Sequence, residues 1–206
     1  MARSRRPSNL CASGIPNGLA LGDFNQDRKL DAIVASGYTE GPGSSGSGLA
    51  VSLGKGDSTF TPGPNSPISL GVNLQAIVAA DFNGDGKLDV AVTDSAANTV
   101  IVLLGNGDGT FGAPLTIPVG NQLVAIVAGD FNSDGKLDLA VANFGDSTIT
   151  LLLGNGDGTF TQASGSPYPV GQGPYAITAA DFNGDGKLDL AVANMTGRQV
   201  SILLQQ

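Results

Sequence analysis

The sequence predicts an all-β fold, and three observations lead to that prediction. The apolar segments are only five to six residues long and are separated by turns rich in Gly, Asn and Asp. Gly supplies 31 of the 206 residues, and no segment has the periodicity of an amphipathic helix. Hydrophobic residues make up 41% and charged residues 14% of the chain, a balance that excludes a disordered chain.

The chain is built from four repeats. Asp-Phe-Asn begins at Asp23, Asp81, Asp130 and Asp181, at spacings of 58, 49 and 51 residues. A second landmark, Leu-Gly-x-Gly-Asp-x-Thr-Phe, follows at 53–60, 104–111 and 153–160. We therefore expect an N-terminal tail at 1–14 and repeats at approximately 15–70, 71–120, 121–170 and 171–206.

Each repeat has the pattern of four short strands. In the second repeat these strands are expected at Ala76–Ala80, Asp89–Thr93, Thr99–Leu104 and Pro114–Val119. The first strand of each repeat is rich in Ala and Gly, which suits strands that converge on a central axis. Four antiparallel strands at a period of about 50 residues predict the blades of a β-propeller.

The nine-residue segment that opens each repeat has the pattern of a calcium loop. In Asp-Phe-Asn-Gly-Asp-Gly-Lys-Leu-Asp, oxygen-bearing side chains stand at positions 1, 3, 5 and 9, and Gly at position 6 permits a sharp bend. Position 7 offers its backbone carbonyl, so its side chain is free to vary. Position 12 is Val92, and strands flank the loop, so this is not an EF-hand. The predicted ligands are Asp23, Asn25, Asp27, Lys29 and Asp31; Asp81, Asn83, Asp85, Lys87 and Asp89; Asp130, Asn132, Asp134, Lys136 and Asp138; and Asp181, Asn183, Asp185, Lys187 and Asp189.

The charge distribution favours bound cations over empty turns. Twelve of the 18 acidic residues lie in these four loops, and the formal net charge is −8, which four Ca²⁺ ions would neutralise. Loop one differs, because Gln26 and Arg28 replace the small residues at positions 4 and 6. Arg28 must either adopt a left-handed conformation or change the loop. We therefore expect three or four Ca²⁺ per chain, and the lower count applies if the Asp23–Asp31 site stays empty.

These motifs resemble the FG-GAP/VCBS repeat of bacterial surface and secreted proteins, which is similar to the calcium-bearing blades of the integrin α-subunit propeller. The resemblance covers essentially 20–206 and implies structural calcium and an extracellular or cell-surface location, although no export signal is visible. Propellers of that family usually have about seven blades, whereas four repeats are present here. The chain is therefore a fragment, a four-bladed ring or half of an eight-bladed dimer.

The fourth repeat ends at its third strand, Ser-Ile-Leu-Leu-Gln-Gln at 201–206, and lacks a fourth. Residues 8–14 could supply the outer strand of that blade and close the ring. Without closure, exposed strand edges would allow a homo-oligomer to form.

The remaining polar and aromatic residues suit structural roles. Asp108 and Asp157 lie in Gly-rich hairpins and are expected to form turns, and seven of the eight Phe residues recur at fixed repeat positions, which indicates packing between blades. Tyr168 and Tyr175 flank a loop unlike its counterparts and are candidates for a contact surface.

These patterns predict a calcium-stabilised extracellular recognition or adhesion module with an unknown protein or glycan ligand. The alternatives are a carbohydrate-binding propeller and a self-assembling repeat protein. Catalysis is not expected, because the chain has no His and a single Cys, Cys11. The acidic balance argues against nucleic acid, and no apolar run is long enough to span a membrane.

Overall fold

The computed structural model describes residues 10, 12, 14–37 and 47–205. Over these ranges the chain forms seventeen β-strands and no helix. The strands of the first two repeats are β1 Ile15–Gly22, β2 Asp31–Gly37, β3 Gly48–Gly54, β4 Phe60–Pro62, β5 Ile68–Ser69, β6 Leu74–Ala80, β7 Asp89–Asp94, β8 Thr99–Leu103 and β9 Leu115–Pro118. Those of the last two are β10 Leu123–Gly129, β11 Asp138–Asn143, β12 Thr148–Gly154, β13 Phe160–Gln162, β14 Tyr168–Pro169, β15 Pro174–Ala180, β16 Asp189–Asn194 and β17 Gln199–Leu203.

The strands form four antiparallel sheets, one for each repeat. Their orders are β1-β2-β3-β4 with β5 also on β3, β6-β7-β8-β9, β10-β11-β12-β13 with β14 also on β12, and β15-β16-β17. The innermost strands of consecutive sheets lie side by side, β1 by β6, β6 by β10 and β10 by β15. The prediction of an all-β propeller architecture is confirmed.

The outer strand differs from the prediction in two sheets. In the first and third sheets it is divided into two short strands, β4 and β5 or β13 and β14. The division follows from a turn inserted after the Thr-Phe landmark, in which Ser66 N–H donates to the Gly63 carbonyl at 3.2 Å and Ser166 N–H to the Ala163 carbonyl at 3.1 Å. The second repeat lacks this insertion, and a short link of 112–114 leads into the single strand β9.

The hydrophobic core lies between consecutive sheets. Three clusters fill the three spaces, and each contains Val, Leu or Ile side chains from both sheets that face it. Ring pairs add to two of them, with Phe24 and Phe111 centroids 6.1 Å apart and Phe82 and Phe160 centroids 5.5 Å apart. The prediction that the recurrent Phe residues pack between blades is confirmed for these four, whereas Phe182 on the last sheet is 46% exposed.

Part of the N-terminal prediction lies outside the described residues. Of 8–14, only Leu10, Ala12 and Gly14 are described, so closure of the last blade by this stretch stays a prediction, and Cys11 is outside the described ranges. Leu10 and Ala12 lie beside the first sheet, in a shallow groove with Leu19 and Val34. In the described ranges, no helix has the length and apolar character needed to cross a membrane.

Candidate functional site

The four predicted loops occupy equivalent places in the fold. Each joins the innermost strand of a sheet to the second strand, and the loops are called one to four: Asp23–Asp31, Asp81–Asp89, Asp130–Asp138 and Asp181–Asp189. The two strands joined by a loop pair up to its ends, as in Ala80 with Asp89 and Gly129 with Asp138. The sheet therefore fixes both ends of each loop.

The first carboxylate organises the loop around itself. In loop two, one Asp81 oxygen accepts the N–H of Gly84 at 2.7 Å and of Asp85 at 3.1 Å, and the other accepts the N–H of Gly86 at 2.8 Å. Loop four repeats all three bonds. The backbone N–H of Gly186, and those of its neighbours in the loop, donate hydrogen bonds to the ionised Asp181 carboxylate. These bonds lower the pKa of Asp181 below its ordinary value.

The third and fifth side chains turn into the same loop. The Asn83 amide oxygen accepts the N–H of Asp85 at 3.0 Å, and Asp85 accepts the N–H of Lys87 at 3.0 Å. The same bonds recur in loops one, three and four. Oxygen atoms of positions 1, 3 and 5 are therefore gathered by a common backbone path.

Loop one follows the same path despite its substitutions. Gln26 has φ of 58° and Arg28 of 65°, where loop two has Gly84 at 74° and Gly86 at 80°. The N–H of Arg28 donates to Asp23 at 2.7 Å, as Gly86 does to Asp81. Of the two outcomes that the sequence left open for Arg28, the left-handed conformation is the one observed.

The ninth carboxylate has a structural role in every loop. Asp89 is fully buried, and its two oxygens accept the N–H of Phe82 and of Gly105, each at 2.8 Å. Asp31, Asp138 and Asp189 make the same pair of bonds. This carboxylate thus joins the start of the loop to the end of the third strand.

Electrostatic repulsion links the ninth carboxylate to the first and fifth. Burial raises the pKa of Asp89 above its ordinary value, and the charges of Asp85 and Asp81 act in the same direction, while the two amide hydrogen bonds oppose them. Asp31 and Asp138 have raised pKa values for the same reasons. A cation among these carboxylates would relieve the repulsion.

The lysine at position 7 already provides part of that positive charge. Lys29 Nζ lies 3.0 Å from Asp27, and Lys87 Nζ lies 3.2 Å from Asp85. The hydrocarbon stem of each lysine runs along a hairpin glycine, Gly56 beside Lys29 and Gly107 beside Lys87. The structure thus gives the lysine side chain a packing and pairing role, and its predicted contribution to a metal is the backbone carbonyl.

The donor chemistry of the loops fits calcium, since every side chain concerned presents oxygen. In the part of the chain that the structure describes, however, no three acidic side chains converge as the ligands of one metal ion do. Coordination of a metal ion by the first, third, fifth and ninth side chains of each loop therefore stays a prediction.

The hairpin aspartates behave as predicted for turns. Asp108 accepts the backbone N–H of Thr110 at 2.9 Å and also its hydroxyl, and Asp157 makes the same contacts with Thr159. The hydroxyl contact is the largest cause of the lowered pKa of Asp108. The structure therefore gives these residues the hairpin-closing role that the sequence predicts.

One recurrent polar position was missed at the opposite end of the sheets. Asp94 is fully buried and accepts the N–H groups of Val72 at 2.8 Å and of Asn73 at 3.1 Å. Asn143 and Asn194 are its buried counterparts at the ends of β11 and β16. The sequence contains a signal for this position, because each of these polar residues follows the short apolar run that comes after a loop.

The chain matches one protein family along most of its length. Three overlapping stretches, 23–92, 81–141 and 130–192, match the FG-GAP-like repeat. Each stretch begins at the first aspartate of a loop. The chain therefore belongs to the FG-GAP-like repeat family, and the resemblance expected from the motifs is confirmed.

Solved structures share the fold at low sequence identity. An Agrocybe aegerita lectin that recognises non-reducing terminal N-acetylglucosamine is 21% identical with a TM-score of 0.56, and the match covers 91% of this chain and 49% of the lectin. A functionally unknown protein from Desulfotomaculum acetoxidans is 18% identical with a TM-score of 0.58, over 92% of this chain and 55% of that protein. BBS1N, in complex with ARL6DN, is 12% identical with a TM-score of 0.58, and the match covers 96% of this chain and 59% of BBS1N. The chain thus spans about half the length of the first structures that it matches, and no curated protein sequence matches it.

Proposed function

We propose that this chain is a calcium-stabilised recognition module that works outside the cell and has no catalytic activity. The single observation that carries the proposal is the path shared by the four loops, which turns a first and fifth carboxylate and a third-position amide oxygen inward at the same place in every sheet. Hard oxygen ligands of this kind suit Ca²⁺. The metal would neutralise the loop carboxylates and stabilise the connection between two strands.

The expected affinity favours an extracellular setting. Extracellular calcium modules bind with dissociation constants of about 10⁻⁴–10⁻³ M. At about 1 mM calcium and a dissociation constant of about 0.1 mM, each filled site would add about 1.4 kcal/mol to the free energy of unfolding. Three or four such sites would matter to a domain whose total stability is about 5–15 kcal/mol.

Thermal unfolding in calcium and in chelator tests the metal role. We expect a higher melting temperature in 1 mM Ca²⁺ than in EDTA, and we expect Asp85→Ala to reduce that difference. Asp108→Ala is the matched control, because it removes an exposed aspartate from a hairpin and leaves the loops intact. Equal melting temperatures in calcium and EDTA would contradict the proposal, as would an equal effect of the two variants.

A glycan is the second candidate ligand. A cavity of about 520 Å³ opens between the third and fourth sheets, where Tyr168, Ser164 and Asn132 line it together with apolar side chains. The fold is also that of an N-acetylglucosamine-specific lectin. Titration with N-acetylglucosamine tests this candidate: binding lost in Tyr168→Ala and kept in Tyr175→Ala would support it, and no binding would exclude that sugar.

A further inference from the structure

Loops two and four each contain a reactive dipeptide, Asn followed by Gly. The two pairs are Asn83–Gly84 and Asn183–Gly184. In such a pair the backbone nitrogen of Gly can attack the side-chain carbonyl carbon of Asn, because Gly has no Cβ to block the approach. A Cβ added at Gly84 or at Gly184 would meet nothing within 4 Å among the described residues, so the space around the attacking nitrogen is open.

The first carboxylate of each loop lies against that nitrogen. The N–H of Gly84 donates to Asp81 at 2.7 Å, and the N–H of Gly184 donates to Asp181 at 2.6 Å. A carboxylate in this position is the proton acceptor that the attack requires, since an amide nitrogen becomes a nucleophile as it loses its proton. The fold thus places a base at the nitrogen before any reaction begins.

A second hydrogen bond holds the carbonyl group that is attacked. The side-chain oxygen of Asn83 accepts the N–H of Asp85 at 3.0 Å, and that of Asn183 accepts the N–H of Asp185 at 2.9 Å. A bond that reaches two residues ahead folds the Asn side chain over the intervening Gly peptide. The same N–H stabilises the negative charge that develops on the oxygen during the attack. One short stretch of backbone therefore holds the nucleophile, the base and the oxyanion donor together.

We propose that loops two and four modify themselves, each converting its Asn into an aspartyl residue. The Gly nitrogen forms a bond to the Asn Cγ carbon and gives its proton to the first carboxylate. The bond between Cγ and the side-chain nitrogen then breaks, and that nitrogen takes the proton and leaves as ammonia. Water opens the resulting succinimide ring at either carbonyl, so the product is Asp or isoaspartate. The reaction consumes water and needs no oxidant or reductant.

The product changes the loop that forms it. Each event replaces a neutral amide by an acid that ionises, so the loop gains a negative charge next to its first and fifth carboxylates. The Asp product keeps the backbone, whereas isoaspartate lengthens the backbone by a methylene group and disrupts the path that the first carboxylate organises. The reaction needs no bound calcium, so the proposal does not rest on the proposed function.

The hairpins contain the same dipeptide in a different setting. The side-chain nitrogen of Asn106, which precedes Gly107, donates across the hairpin to the Thr110 hydroxyl at 2.9 Å. The carboxylate of this hairpin, Asp108, accepts the N–H of Thr110 at 2.9 Å. The hairpin of Asn155 repeats both contacts. Because these groups are committed to Thr, we expect the hairpin Asn residues to react more slowly than those of loops two and four.

Loop three has the framework of loop four with Ser in place of Gly. Asn132 accepts the N–H of Asp134 at 2.9 Å and donates to its carboxylate at 3.1 Å. Loop four repeats both bonds at 2.9 Å and 3.1 Å. Ser133 carries a side chain beside the nitrogen that would attack, so we expect Asn132 to persist.

Peptide mapping by mass spectrometry measures every site in one sample. The full chain is incubated at neutral pH in EDTA and then digested at mildly acidic pH, so that digestion adds no conversion. A positioned base contributes about a hundredfold or more in an enzyme, so we expect Asn83 and Asn183 to convert at least about tenfold faster than Asn106 and Asn155. Equal rates at the four sites, faster conversion in the hairpins, or no conversion in the loops would overturn the proposal.

Asp81→Asn tests the base. The new side chain keeps an oxygen that can accept the Gly84 N–H but cannot take its proton, so conversion of Asn83 should slow about tenfold or more. Asn183, in the unchanged loop four of the same chain, is the internal control and should keep its rate. A rate at Asn83 that stays the same or rises would overturn the proposal.

Ser133→Gly tests the dipeptide by a gain of reactivity. The backbone at this position has φ of 61°, which Gly adopts readily, so the variant should keep the wild-type fold and circular dichroism spectrum. Conversion of Asn132 should then rise to the rate of Asn183. An Asn132 that reacts no faster than the hairpin Asn106 in this variant would overturn the proposal, whatever the result for Asp81→Asn.

Discussion

Replacing Asp138 by Ala should destabilise the fold even when no metal is present. The side chain is fully buried, and its oxygens accept the N–H of Phe131 at 2.9 Å and of Gly154 at 2.8 Å. Each buried donor left without an acceptor costs about 1–3 kcal/mol, and since the variant also removes a buried charge, we expect a net loss of about 3 kcal/mol in the free energy of unfolding.

The matched control is Asp157→Ala. Asp157 also accepts two hydrogen bonds, from the N–H of Thr159 at 2.9 Å and from its hydroxyl at 2.6 Å, but it lies exposed in a hairpin. Water can replace it as a partner, so the expected loss is below about 1 kcal/mol.

Urea unfolding followed by circular dichroism, in EDTA and again in calcium, measures both variants. The reasoning is refuted if Asp138→Ala costs no more than Asp157→Ala in EDTA. A loss seen only in calcium would refute it as well, because Asp138 would then act as a metal ligand and not as an acceptor for two buried amides.

Two further changes test the loop backbone and the packing between sheets. Gly86→Ala should lower the free energy of unfolding by about 1 kcal/mol from left-handed strain alone, since φ is 80° and an added Cβ would meet nothing within 4 Å. The control is Gly112→Ala, where the added Cβ would be 3.6 Å from the Leu104 carbonyl, and it should be nearly neutral in the same thermal melts. Phe82→Ala should cost about 3–5 kcal/mol in the free energy of unfolding, because the ring is 3% exposed and its centroid lies 5.5 Å from that of Phe160. The control is Leu115→Ala, at a 39% exposed site, which should cost below about 1 kcal/mol by urea unfolding. A Gly86→Ala melt that matches the wild type, or equal losses for Phe82→Ala and Leu115→Ala, would contradict the corresponding argument.

The strands and the sheet architecture could be predicted because the repeat shows the same pattern several times over. Apolar runs between Gly, Asn and Asp turns fix where β7 and β8 lie, and a landmark found at a constant spacing fixes the period. The division of the outer strand at Ser66 and Ser166 depends on a turn that the first and third repeats contain and the second does not. A pattern read from the second repeat could not show it.

The loops could be predicted as a class but not residue by residue. Odd positions in a Gly-containing loop indicate inward-facing oxygens, and Asp81, Asn83 and Asp85 do turn inward. The role of Asp89 depends on Gly105, 16 residues away on the third strand, which donates one of its two hydrogen bonds. Spacing within the loop carries no information about that tertiary contact.

The most direct test is calcium titration calorimetry on chelator-stripped protein, read for stoichiometry. We predict three or four ions per chain with dissociation constants of about 10⁻⁴–10⁻³ M, and a count of three is the result expected if Arg28 keeps loop one empty. Asp85→Ala should lower the count by one, and Asp108→Ala should leave it unchanged. Absence of binding at millimolar calcium would contradict this account: the four loops would be turns without a metal, and the argument for an extracellular location would be lost.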